Sequence, residues 1–189
     1  MFHTPVETRF AIVDRLIAHG DRPLAFPAAM DLCRHQASSG ADGDTLRFAA
    51  EARKSASRNA FRPAFTTADW CAFSSFCISQ RLPAGYRVLI PGRVDRTLRF
   101  VVEGSLWQES AAASHTKALL PGTILGEDAL FSDTPADLDV RTLEDSLVLE
   151  LSLQRRKELT ASCPAIAFEL LRATGAVIAA RGRGELATH

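Results

Sequence analysis

The sequence lacks net charge: 22 basic and 22 acidic side chains cancel over 189 residues. No general field therefore draws it towards polyanions. It also lacks any apolar run long enough to span a bilayer. Arg9 and Asp14 interrupt the first apolar segment, which argues against a secretory leader. The four cysteines, Cys33, Cys71, Cys77 and Cys163, form no CxxC pair and have no His-rich neighbourhood. They read as free thiols in a reducing compartment, so the expected location is the cytoplasm. Histidine is sparse too: His115 is the only one between His35 and His189. A metal-dependent jelly-roll enzyme needs histidines and carboxylates clustered on facing strands. No metal site is expected, and His115 reads as a loop residue. No P-loop and no nucleophile, base and orienter set is present, so no catalytic residue is assigned and the chain reads as a non-enzyme.

What is present is one domain's worth of ordinary globular composition with an appendage. Residues 1–62 form a helical N-terminal segment. Val6, Phe10, Val13 and Ile17 recur at helical spacing. A second helix is expected over Ala28–Ala37, and an Ala-rich helix from about Asp44, a candidate N-cap, to about Asn59. These helices are poor in large apolar residues, so they are expected to pack on the following domain or on a second subunit. Arg53, Lys54, Arg58 and Arg62 make a basic run that reads as a solvated helix face, and nucleic acid is not an expected partner.

Residues 63–163 read as an antiparallel β domain. Thr66 with Asp69 marks a helix start, followed by Trp70, Phe73 and Cys77 on one face. Short strands are expected over Tyr86–Ile90, Leu98–Val102 and Ser105–Glu109, with turns at Pro83–Gly85, Pro91–Gly92 and Glu103–Gly104. Leu147, Leu149 and Leu151 alternate as a last strand. Between these lies LPGTILGEDALFSDTPADLDV, Leu120 to Val140. It runs as a Pro-Gly turn, Gly126-Glu127, a short apolar turn, Pro135 and a strand in which Leu138 and Val140 alternate with Asp137 and Asp139.

This stretch resembles the phosphate-binding cassette of the cyclic nucleotide-binding domains. The Gly85, Gly92 and Gly104 frame with Phe100-Val101-Val102-Glu103-Gly104 is similar to that family's barrel. The resemblance spans roughly residues 64–181. It implies a mixed, mainly β fold: a β jelly-roll barrel with N-terminal helices and a C-terminal helix. It places Glu127 where the family's ribose-binding Glu stands, beside Gly126. It places Asp128 and Ala129 in the short helix whose amides hold the cyclic phosphate. The family's phosphate Arg falls on Ala136, and the next small hydroxyl residue on Asp137. An unpartnered desolvated phosphate costs about 2–5 kcal/mol, or roughly 30- to several-thousand-fold in affinity. The ligand-binding set, if there is one, is therefore Gly126, Glu127, Asp128, Ala129, Ala136 and Asp137.

Residues 164–189 are a C-terminal helix and tail. Pro164 suits a first helical turn. Ile166, Leu170, Ala173 and Val177 form one apolar stripe, with Phe168, Leu171, Thr174 and Ile178 beside it. In the resembled family this helix lids the nucleotide and often makes a two-fold dimer, so the stripe is the expected seam of a homodimer. Little chain follows Arg181, and no helix-turn-helix domain is expected. The expected function is regulatory: a degenerate cassette with no cofactor, acting through a protein partner, with no membrane association. One alternative is a genuine cAMP, cGMP or other cyclic nucleotide sensor using Arg87, Arg93, Arg96 or Arg99. The other is a transcription-regulator-like protein of the CRP/FNR type.

Overall fold

A computed structural model describes residues 42–54, 61–110, 116–128, 131, 133 and 135–183. The expected helices over Val6–Ile17 and Ala28–Ala37 lie outside the described residues, as do His115 and Ala129.

Helix α1 (Asp42–Lys54) starts at Asp42, two residues before the expected cap. Helix α2 (Thr67–Ser74) starts where Thr66 and Asp69 cap each other. The Thr66 amide donates to Asp69 Oδ2 at 2.9 Å, and the Asp69 amide donates to Thr66 Oγ1 at 3.2 Å. Eight strands follow: β1 (Ile78–Leu82), β2 (Arg87–Leu89), β3 (Leu98–Glu103), β4 (Leu106–Ser110), β5 (Thr116–Leu119), β6 (Ile124–Leu125), β7 (Leu138–Thr142) and β8 (Ser146–Leu151). Helices α3 (Leu153–Ser162) and α4 (Pro164–Gly182) close the described chain. The sequence pattern passed over β1, β5 and β6, because each is short and lacks a clean alternation.

The expected jelly-roll barrel is not formed. The strands make two four-stranded antiparallel sheets, ordered β1-β8-β3-β6 and β2-β7-β4-β5, and neither closes on itself. Strand spacing and glycine turns fit a sandwich as well as a barrel, since both need short strands joined by tight turns. The edges decide between them. β6 has two residues and β2 has three, with a register shift where it meets β7. Such edges offer too few backbone groups to join the sheets into one ladder.

Burial shows why β3 and β8 are almost continuously apolar. Phe100 and Val102 of β3, with Leu147, Leu149 and Leu151 of β8, pack towards the helices. Val101 and Val148 point the other way, to Leu106, Leu119 and Val140 of the second sheet. The first sheet is thus a middle layer, buried on both faces. Against its helical side sit Phe48 of α1, Phe61, Phe65, Trp70 and Phe73. The Phe48 ring meets Phe100 edge-on at 5.0 Å, and Phe73 meets Phe100 at 5.5 Å. Arg47 also pairs with Glu103, and Ser79 Oγ donates to Asp44 Oδ2 at 2.6 Å. The α1 helix, placed by composition in a separate zone, is part of the domain's core.

Ile166, Leu170, Ala173 and Val177, the expected dimer seam, are buried in that same core; Leu170 is 1% exposed and Val177 1%. The large apolar residues that α4 leaves exposed are Phe168 and Leu171. Cys71 is in a disulfide whose partner lies outside the described residues, contrary to the free-thiol expectation. Cys77 is a free thiol, and burial pushes its pKa far above the usual cysteine value, so it is a packed, unreactive group.

Candidate functional site: the cassette and the last turn of α4

Gly126 follows β6 with a φ of +80°, in the left-handed region. A Cβ there would run into the Thr97 carbonyl oxygen, so only glycine lets the chain cross β3 at this point. The crossing turns the next residue, Glu127, inwards, and it is 1% exposed. A carboxylate that deep needs a charged partner. Its partner is Arg181, from the last turn of α4. The two groups meet as an ion pair, with no well-directed hydrogen bond to either Glu127 oxygen. Arg181 Nη2 also donates to the Ile124 carbonyl at 3.4 Å, which ties it to β6. Burial lowers the pKa of Arg181 below the ordinary arginine value.

Lys117 of β5 lies close enough to feel that guanidinium. Burial lowers its pKa, and Arg181 lowers it further. Lys117 thus puts a second positive charge near Arg181. Sequence reasoning singled out neither cation.

The rest of the expected set is placed differently. Asp128 is exposed at the start of a turn closed by the Phe131 amide donating to the Asp128 carbonyl at 3.1 Å. Its pKa is raised, first by partial desolvation and then by the charge of Asp137. Ala136 contributes backbone only: Gly92 N donates to Ala136 O at 2.8 Å, and Ala136 N donates to Arg93 O at 2.9 Å. Asp137 is exposed next to it. Gly126 and Glu127 are thus brought to the buried site, while Asp128 and Asp137 form an acidic rim.

The arginines considered as substitute phosphate partners are mostly engaged. Arg87 pairs with Asp139, which Arg141 also holds at 2.8 Å. Those two guanidinium groups hold the Asp139 carboxyl well below the usual carboxylate range. Arg99 contacts Asp95 at 2.8 Å and Glu150 at 2.7 Å, and Arg96 contacts Asp133 at 2.6 Å. Among the described residues no group of three or more His, Cys, Asp or Glu side chains could hold a metal, and no helix is long and apolar enough to cross a membrane.

Residues 79–163 match the family described as "Cyclic nucleotide-binding domain". No curated protein matches the chain. Among solved structures it resembles a cyclic nucleotide-binding domain from Methylobacillus flagellatus, with a TM-score of 0.65 and 16% identity over 78% of this chain and 83% of that one. It also resembles the N-terminal domain of a transcriptional regulator from Streptomyces coelicolor, with a TM-score of 0.55 and 20% identity over 69% and 94%. A third is the catabolite activator protein of Thermus thermophilus, with a TM-score of 0.55 and 19% identity over 66% and 59%. At these identities the likeness speaks for the fold alone. Over residues 79–163 this chain is similar to the cyclic nucleotide-binding domain family, and the solved structures share its fold.

Proposed function

We propose that this regulatory domain acts through protein contacts and that its cassette no longer takes a cyclic nucleotide in the family's usual way. The observation that carries this reading is the Glu127–Arg181 pair. The carboxylate that would meet a ribose hydroxyl is buried and already neutralised by the chain's own last helix. Separating the pair strands a buried charge, at a cost of about 3–5 kcal/mol. A nucleotide would have to offset that cost without a cation at Ala136 and against the negative charge of Asp137. The exposed Phe168 and Leu171 on α4 offer a surface for a second copy or a protein partner.

A second reading has one specific observation behind it. Lys117 and Arg181 repel each other, and a phosphate placed between them would relieve that repulsion. Calorimetric titration with cAMP, cGMP and cyclic di-GMP at low salt separates the two. The expected result is no binding heat up to roughly millimolar ligand. Micromolar binding that disappears in both Arg181→Ala and Lys117→Ala would overturn the first reading and make the domain a sensor with substitute cations.

A further inference from the structure

The connection between β2 and β3 carries cations that the chain itself leaves poorly matched. Gly92 turns this connection with a φ of +78°. Backbone hydrogen bonds then hold it. The Gly92 amide donates to the Ala136 carbonyl at 2.8 Å, and the Ala136 amide to the Arg93 carbonyl at 2.9 Å. The Arg93 amide donates to the Ile90 carbonyl at 3.2 Å. The side chains that follow stand on a fixed frame, which lowers the ordering cost of binding to them.

Arg93, Val94, Asp95 and Arg96 line one open cleft of about 550 Å³ together with Val88 and Ile90. That volume lies within the usual range for small-molecule sites. The Arg93 side chain is exposed and makes no ion pair or hydrogen bond among the described residues. Arg96 pairs with Asp133 at 2.6 Å, but the Asp133 side chain is 71% exposed, which makes that pair weak. Asp95 is committed: its carboxylate accepts from Arg99 at 2.8 Å and from the Thr97 amide at 2.9 Å. Val94 is 47% exposed, an apolar side chain left in water beside two guanidinium groups.

We propose that this cleft binds a small aliphatic carboxylate, with Arg93 and Arg96 holding the acid group and Val88, Ile90 and Val94 seating the chain. A guanidinium fork matches a carboxylate in geometry and charge. Covering Val94 removes apolar surface from water. A monoanion fits better than a phosphate dianion, because Asp95 lines the same cleft and Asp133 adjoins Arg96, and both repel a second negative charge. The ligand's acid group takes over Arg96 from Asp133. Neither Arg93 nor Arg96 belongs to the Glu127–Arg181 pair, so the proposal stands whatever the cassette holds.

Titration of the full chain with hexanoate at low salt, followed by amide NMR spectra, tests this. Saturable shifts centred on residues 88–96 are expected, with a dissociation constant in the millimolar range or tighter. Acetate lacks the apolar body and hexan-1-ol lacks the charge, so each is expected to bind at least about tenfold more weakly. Arg93→Met, at an exposed position, is expected to weaken hexanoate binding at least about tenfold. Arg81→Met removes the same charge from an exposed position on β1, outside the cleft, and should leave binding unchanged. Asp133→Asn releases Arg96 and should tighten binding about twofold or more. Equal affinity in Arg93→Met and the unaltered chain overturns the proposal, as does absence of shifts up to about 10 mM hexanoate. Shifts centred on Gly126 and Glu127 overturn it too, by moving the site to the cassette. Tighter binding of hexyl phosphate than of hexanoate overturns the choice of a monoanion.

Discussion

At the scale of single residues, charge is governed by which partner lies within reach. Asp139 and Asp137 stand two positions apart on one strand approach, yet only Asp139 is captured, between Arg87 and Arg141. Its folded-state pKa is depressed below the ordinary value of about 3.9. A depressed carboxylate contributes stability that is fully present above the unfolded-state pKa and is lost as pH falls through the folded one. The unaltered protein should therefore lose Tm steeply below about pH 4, whereas Asp139→Asn should show a flatter acid limb. Thermal melts across pH 2–6 check this, and parallel curves for the two proteins would place the acid sensitivity elsewhere.

At the scale of elements, α4 is asymmetric. Its Leu170 side is part of the core, and its Phe168 side faces solvent at 70% exposure. The two faces make opposite predictions for the same chemical change. Leu170→Asp buries an unpaired charge and should unfold or grossly destabilise the domain. Phe168→Asp should leave the fold intact and, if α4 is the contact between copies, turn a dimer into a monomer. Circular dichroism with light scattering reads both. A folded Phe168→Asp protein with unchanged mass would move the contact off this helix. The helix thus serves two purposes: it covers the middle sheet, and its last turn delivers Arg181 to Glu127.

For the whole molecule, the layered order of helices, middle sheet and outer sheet makes stability depend on a residue outside the matched family region. Phe48 is fully buried against Phe61, Trp70 and Phe100. Phe48→Ala should cost about 3–5 kcal/mol, the usual penalty for emptying a buried aromatic site. Because α1 shares the core with α2, α4 and the middle sheet, the loss should appear as one lowered, cooperative transition. A separate early transition in denaturant, with the main midpoint unchanged, would mean that α1 unfolds on its own. The Cys71 disulfide adds a covalent tie to the α2 layer, so such melts need matched oxidising and reducing samples.

Much was written locally. Thr66 and Asp69 announce α2 because a capping box is satisfied within one turn. Gly126 and Glu127 stood out through the resemblance of a short local stretch, and the structure gives Gly126 its left-handed φ and buries Glu127. Leu147, Leu149 and Leu151 reveal β8 through a period of two. The sequence by itself determined these elements and their order. Only the tertiary structure decided the rest: two open sheets in place of a barrel, the burial of Ile166, Leu170, Ala173 and Val177, and the partner of Glu127. Closure depends on how many backbone groups the sheet edges present, and burial on which of two apolar faces reaches the sheet first. Arg181 finds Glu127 only because α4 runs back across the middle sheet to β6, and a contact between residues so far apart in the chain leaves no mark on local periodicity.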